Sequence, residues 1–260
     1  MNKIDLAGSV WLASDIHLGQ AAPATTEAFL ALLDTARREA SAIVLPGDIF
    51  DAWIGDDLIE TPPTWLAAVV DGLKKTAASV PLWLGRGNRD FLLGQAFCEA
   101  VGAQLLPDQV IVHTDAGAVL LSHGDEYCTD DAAYQQFRAM VRDPKWQAAF
   151  LAKSIPERLQ AAAQARSEST AATQNKAAGI MDVNPQAVRH AFQQTNVAYM
   201  VHGHTHRPDR HVLLIDGKKR ERWVLPDWDL DHAKPPRGGW MVIDSDGIQC
   251  FDLDPTETHA

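Results

Sequence analysis

The strongest constraint on this chain is a recurrence: five apolar runs of strand length each end in residues that bind metal ions or phosphate. Val10-Trp11-Leu12-Ala13 leads to Ser14-Asp15-Ile16-His17, and Ala42-Ile43-Val44-Leu45 to Pro46-Gly47-Asp48. Val80-Pro81-Leu82-Trp83-Leu84 leads to Gly87-Asn88-Arg89-Asp90, and Ala118-Val119-Leu120-Leu121 to Ser122-His123-Gly124-Asp125. The run Val197-Ala198-Tyr199-Met200 continues into Val201-His202-Gly203-His204-Thr205-His206. Short apolar runs bounded by turn residues read as buried strands. Any one terminal Asp or Asn is unremarkable as a loop residue, but five in series predict that their side chains meet at one sheet edge, where α/β proteins build sites.

Amphipathic stretches separate the early runs. Thr25 to Ala40 carries Phe29, Leu32 and Leu33 on one face, with Thr25 or Thr26 available as cap, and Trp65 to Ala78 carries Leu66, Val69, Val70 and Leu73. Alternating helix and strand predict βαβ units and a partly parallel sheet. From Tyr134 to His190 no strand pattern remains. Apolar helical stretches around Phe137–Val141 and Trp146–Leu159 and the polar run Ser167–Thr173 predict a helical insertion of about 134–190 within a single domain spanning 1–260. Eight basic against four acidic side chains give this insertion a charge of +4 while the whole chain stands at −11. Such a patch is either a solvated face or a surface for phosphate or anionic lipid. Two hairpins, around Asp216-Gly217 and Ser245-Asp246-Gly247, imply a second, largely antiparallel sheet.

Composition excludes more than it selects. A chain of 260 residues, 46% hydrophobic, can bury one sizeable core, and its acidity argues against nucleic acid as partner. The three cysteines, Cys98, Cys128 and Cys250, form no metal-type spacing and suggest a reducing compartment, with Cys128 read as a small buried hydrophobe. No stretch reaches the length of a membrane span, so the expectation is a cytoplasmic or peripheral protein.

The series Asp15-x-His17, Gly47-Asp48, Gly87-Asn88-Arg89, His123 and Gly203-His204-x-His206 resembles the binuclear metallophosphatases, the calcineurin-like phosphoesterases. Within them, Gly47 to Asp57, Gly87 to Gly94, His123-Gly124-Asp125, Cys128 to Asp131 and Ile180 to Asn184 resemble the UDP-2,3-diacylglucosamine pyrophosphatases of lipid A synthesis, from about Val10 to Trp228. The resemblance implies a four-layer αββα sandwich with the insertion as a lid. It also implies two divalent ions, most simply Mn²⁺, with Asp48 bridging, Asp15, His17 and His206 on one ion, and Asn88, His123 and His204 on the other. Such a pair, roughly 3.5–4 Å apart, can clamp a phosphoryl group for displacement. His202 has no ligand role in the family and is expected to pack or support.

Asp48, Asn88, Arg89 and His123 carry over as the catalytic set. Asn88, Arg89, Asp131, Ser169, Thr173, Lys176 and His204 carry over as substrate contacts, with Thr173 standing where the family pattern has Asn, so that one amide hydrogen bond is replaceable but not two. Arg89 is informative by its chemistry: many metallophosphatases place His after this Asn, to protonate a leaving alkoxide. Arginine is no acid but a bidentate phosphate clamp, so a diphosphate, whose leaving group needs no proton, fits better than a simple monoester. The activity that the resemblance implies is hydrolysis of UDP-2,3-diacylglucosamine to UMP and 2,3-diacylglucosamine 1-phosphate, at the cytoplasmic face of the inner membrane, with no obligate protein partner. The alternatives are a hydrolase of soluble nucleoside diphosphate sugars and a metal-binding scaffold.

Overall fold

A computed structural model describes residues 1–174 and 182–253, with the side chains of 168–174 left aside. Two mixed sheets of six strands lie face to face. The first runs in the order β1 (Asn2–Asp5), β6 (Gln109–Thr114), β7 (Gly117–Ser122), β8 (Tyr199–His202), β10 (Lys218–Val224), β9 (Asp209–Ile215). The second runs β12 (Gly247–Asp252), β11 (Gly239–Asp244), β2 (Val10–Leu12), β3 (Ala42–Leu45), β4 (Leu82–Leu84), β5 (Gln104–Leu105).

Successive side chains of a strand point to opposite faces, and this period sorts the core into three layers. Val10, Leu12, Ala42 and Val44 pack inward against Val110, Val112, Val119, Leu121 and Val201 of the other sheet. Their neighbours Trp11, Ala13, Ile43 and Leu45 face outward, onto Phe29 and Leu33 of α1 (Pro23–Glu39) and Leu66, Val69 and Leu73 of α2 (Thr64–Ala77), with Phe97 and Val101 of α3 (Gln95–Val101) beyond. On the far side Ile111, Leu120 and Met200 meet Val188 and Phe192 of α7 (Pro185–Thr195). The αββα order is thus read directly from alternation, and each fully buried Phe contributes about 1.5–3 kcal/mol.

Two expectations need correction. The late hairpins do not make a sheet of their own. β10 joins β8 in parallel, Trp223 beside Val201, and β11 joins β2 antiparallel, Met241 beside Leu12, because each hairpin has an apolar face that completes an existing layer. The first hairpin does turn at Asp216-Gly217, both with positive φ, as a two-residue loop requires. Nor do Thr25 or Thr26 cap α1. The carboxylate of Asp231 does, accepting from the backbone N–H of Ala24 and Thr25, both at 3.0 Å, and from Thr25 Oγ1 at 2.8 Å.

Between β7 and β8 come α4 (Ala132–Val141), α5 (Pro144–Leu151), α6 (Ile155–Gln174) and α7. Four of the eight basic side chains of the insertion pair with carboxylates of the body, while Lys145, Lys153 and Arg189 are exposed. Arg138 bonds Asp125 (2.8 Å), Arg142 bonds Asp108 (2.8 Å), Arg158 pairs with Asp57 and donates to the carbonyl of Ile54 (2.7 Å), and Arg166 pairs with Asp51. Opposite charges on two surfaces that must stay apposed explain the local excess. The apolar stripe divides. Val141 is buried, Trp146 stacks on Phe150 (5.1 Å) and lies 6.0 Å from Phe91, while Phe137, Met140, Leu151 and Leu159 are exposed.

Candidate metal centre and active site

The five strand-end loops meet as predicted. Asp15 and Asp48 are buried, and their loops interlock through backbone bonds, Asp15 N–H to Gly47 O and His17 N–H to Asp48 O (3.0 Å). Among the described residues, seven other than glycine have positive φ, and five of them are Asp15, His17, Asp48, His204 and His206. Left-handed backbone is costly for such side chains and persists only where the surroundings impose it, and such strain gathers at functional sites. Close approach enforces glycine nearby: a Cβ at Gly87 would overlap the Asp48 carboxylate, and one at Gly203 the Asp15 carboxylate.

Asp15, His17 and His206 can offer one ligand atom each within a 4.8 Å cluster, as can Asp15, Asp48 and His123. Asp48 faces both flanks: its Oδ2 lies 3.9 Å from His17 Nδ1 and its Oδ1 3.6 Å from His123 Nε2. Asn88 Oδ1 sits 3.1 Å from His123 Nε2 and 2.8 Å from His204 Nδ1, so all seven residues read as ligands converge. Several neighbours that sequence reasoning left without a role build this arrangement. Asp90, fully buried, accepts from the backbone N–H groups of Asp48, Ile49, Phe50 and Gly87, folding the two loops together. Asp227 Oδ2 lies 3.3 Å from His206 Nδ1 and accepts from Arg237 Nε at 2.7 Å, so the other ring nitrogen, Nε2, is the one turned to Asp15 at 3.5 Å. Carboxylate support of a ligating imidazole is a recurrent device. Asp227 follows the apolar run Trp223-Val224-Leu225 at the end of β10, so the signal that marked the other five loops was present there too and went unread. His202 is buried, donating from Nδ1 to Gly203 O (2.9 Å) while Nε2 accepts from Arg222 (3.0 Å), which makes it a support, as expected.

The electrostatics call for cations. Burial alone would raise the Asp15 carboxyl, yet His206, His123 and His17 hold it well below the carboxylate range. Burial pushes Asp48 up, and pushes His17 and His204 down to about 4. Burial opposes charge on His206, but Asp15 and Asp227 carry it up to about 10. His17 Nδ1 and His123 Nδ1, both buried, have no hydrogen-bond partner among the described residues. Carboxylates sharing a buried space with imidazoles, some neutral and some holding borrowed protons, fit divalent metal, whose binding displaces such protons. The mixed O/N set without thiolate accepts Mn, Fe or Zn.

Of the expected substrate contacts, Asn88, Arg89 and His204 stand at the site. The Arg89 guanidinium has no salt-bridge or hydrogen-bond partner among the described residues, while its backbone N–H donates to Asp48 Oδ1 at 2.8 Å. Asp131 caps α4 by accepting from Tyr134 N–H at 3.1 Å. The side chains of Ser169 and Thr173, and Lys176, lie outside the described residues. Cys128 is buried and thiol-like, its pKa pushed by burial up to about 12.

The layered fold and this buried donor set at the sheet tips define the class. The chain belongs to the calcineurin-like phosphoesterase family, whose pattern it matches over residues 8–208. It is 68% identical over 253 residues to the UDP-2,3-diacylglucosamine hydrolase of Bordetella pertussis, covering 97% of this chain and 98% of that protein. Proteins of the same name from Aromatoleum aromaticum (43% over 218 residues, 84% and 88% of the two chains) and Serratia proteamaculans (41% over 240 residues, 92% and 97%) are also similar.

Proposed function

We propose that the protein hydrolyses UDP-2,3-diacylglucosamine at the uridine-side phosphorus, giving UMP and 2,3-diacylglucosamine 1-phosphate for lipid A synthesis. The unpaired Arg89 beside the ligand cluster is the observation that carries this reading within the family. Asp15, His17 and His206 would hold one divalent ion and Asn88, His123 and His204 the other, with Asp48 between them and Mn²⁺ the metal the family favours. When bound, the ions supply Lewis acidity and a hydroxide-like nucleophile at neutral pH.

The chain's own residues do the rest. Arg89 meets the diphosphate with a planar fork that a lysine cannot reproduce. Asp90 keeps Asp48 and Asn88 in register, and Asp227 keeps His206 aimed. Tyr134 lies over His204 (ring centroids 5.7 Å apart) and donates to Asp125 Oδ2 at 2.6 Å, tying α4 over the site and screening it from water. Exposed Phe137 and Met140 on the same helix give acyl chains an apolar surface, each buried CH₂ being worth about 0.8 kcal/mol. Among the described residues no helix is long and apolar enough to cross a membrane, so contact with the inner-membrane surface, on its cytoplasmic side, would be peripheral. Ser169, Thr173 and Lys176 remain assigned to substrate.

A matched pair of substrates, UDP-2,3-diacylglucosamine and its deacylated counterpart, tests the reading with metal-replete protein. Strong preference for the acylated member is the expected result. Equal turnover would transfer the assignment to soluble nucleoside diphosphate sugars, and no hydrolysis of either would leave a metal-binding scaffold.

A further inference from the structure

The ligand cluster has two unlike flanks. On one side stand His204 and His123 with Tyr134 over them, and α4 continues to exposed Phe137 and Met140. On the other, His17 and His206 wall a cavity of about 460 Å³. The turn 19–22, the loop 227–237 and Arg166 of α6 complete it.

The charges of this cavity are mostly consumed internally. Asp231 is occupied in capping α1, Asp227 takes Arg237 Nε at 2.7 Å, and Asp51 takes Arg166. Among the described residues Arg89, whose backbone N–H binds the Asp48 carboxylate, has no side-chain partner, and the side chains of Gln20 and His232 also line the cavity with no hydrogen-bond partner of their own. A half-enclosed space whose wall carries, among the described residues, a guanidinium without a partner together with hydrogen-bonding side chains that are also unengaged suits a ligand that is anionic at one end and polar at the other.

We propose that this cavity receives the nucleoside half of the substrate, with Arg89 on the diphosphate and Gln20 and His232 at ribose and base; the inference rests on the diphosphate reading above. The two halves of such a substrate diverge from a short P–O–P link and differ in chemistry. A nucleoside gains hydrogen bonds in the polar cavity. The glucosamine carries its acyl chains within a few bonds of the diphosphate, and placing it there would drag them across Arg237 and Asp229, where apolar burial gains nothing and charged groups lose water. The acylated half therefore belongs on the α4 flank, where Phe137 and Met140 are.

The test uses the metal-loaded full chain and two probes, UMP and micellar 2,3-diacylglucosamine 1-phosphate, with binding read by calorimetry. Ala21→Trp fills the cavity from an exposed turn, and thermal melting verifies that it folds. It is expected to weaken UMP by about tenfold or more, the equivalent of about 1.4 kcal/mol, while lipid-product affinity stays at the wild-type value. His232→Ala, which removes only an exposed ring, is expected to weaken UMP roughly three- to tenfold, as the loss of one hydrogen bond would. UMP affinity unchanged in both variants, or loss of the lipid product instead, overturns the assignment. Wild-type protein that turns over no UDP-2,3-diacylglucosamine brings down the parent reading and this one with it. Normal turnover with UMP binding insensitive to both variants brings down the cavity alone.

Discussion

The body and the insertion are held together by different physics. In the body, apolar side chains alternate through three layers, and the ligand loops are pinned by backbone bonds and by the buried carboxylate of Asp90. The stretch from α4 to α6 instead rests on ion pairs from Arg138, Arg142, Arg158 and Arg166 to carboxylates of the body, and leaves Phe137, Met140, Leu151 and Leu159 exposed. Ion pairs at a partly wet seam stabilise little and are easily reopened. The half that carries the ligand cluster is thereby joined to a half whose attachment is more polar and more exposed.

That contrast can be broken or sharpened, beginning with the largest effect. Asp48→Ala should reduce turnover to background on acylated and deacylated substrates alike while the far-ultraviolet circular dichroism stays native, since it removes the carboxylate facing both flanks. Near-normal rates with excess Mn²⁺ would take Asp48 out of the bridge. Phe192→Ala, at a fully buried body position, should lower global stability by about 3–5 kcal/mol in denaturant titration; a loss no larger than that of Phe137→Ala would mean the two regions are packed alike. Arg89→Lys should cost about 2 kcal/mol of transition-state stabilisation, roughly thirtyfold in kcat/KM, on both substrates. Wild-type kcat/KM would contradict the phosphate clamp. Phe137→Arg belongs to the insertion and should slow only the acylated substrate. Equal losses on the pair would make the exposed face structural. Asp57→Asn is the mildest, changing global stability by no more than about 1 kcal/mol, but hydrogen exchange in α6 around Arg158 should quicken; unchanged protection would show that the seam is not held by charge.

The sequence revealed most where function and local pattern coincide. Each ligand loop follows an apolar run short enough to be a strand, so the site was legible before any fold was known, but which face takes helices was not, because Trp11 and Leu12, or Ile43 and Val44, are apolar alike and only their packing separates them. What was hidden depends on partners far along the chain. Asp231 caps a helix some two hundred positions earlier, the late hairpins choose existing sheets through their apolar faces, and the arginines of the insertion find carboxylates on three separate connections of the body. β1 and β5 are short edge strands with little apolar content, and they leave almost no periodic trace. Net charge was correctly counted in the insertion, but counting cannot say what a charge faces.

The pairing of β2 with β11 bears on how the protein is made. Val10 to Leu12 are translated more than two hundred residues before the strand that covers their free edge, Gly239 to Asp244. Until then the nascent chain carries β2 as an open edge, a template for wrong pairing, and contacts of such long sequence separation form slowly. His204 and His206 too leave the ribosome late. The ligand cluster is therefore incomplete until His206, nearly two hundred residues after Asp15, has been translated, and an ion that needs the whole cluster cannot be held before then.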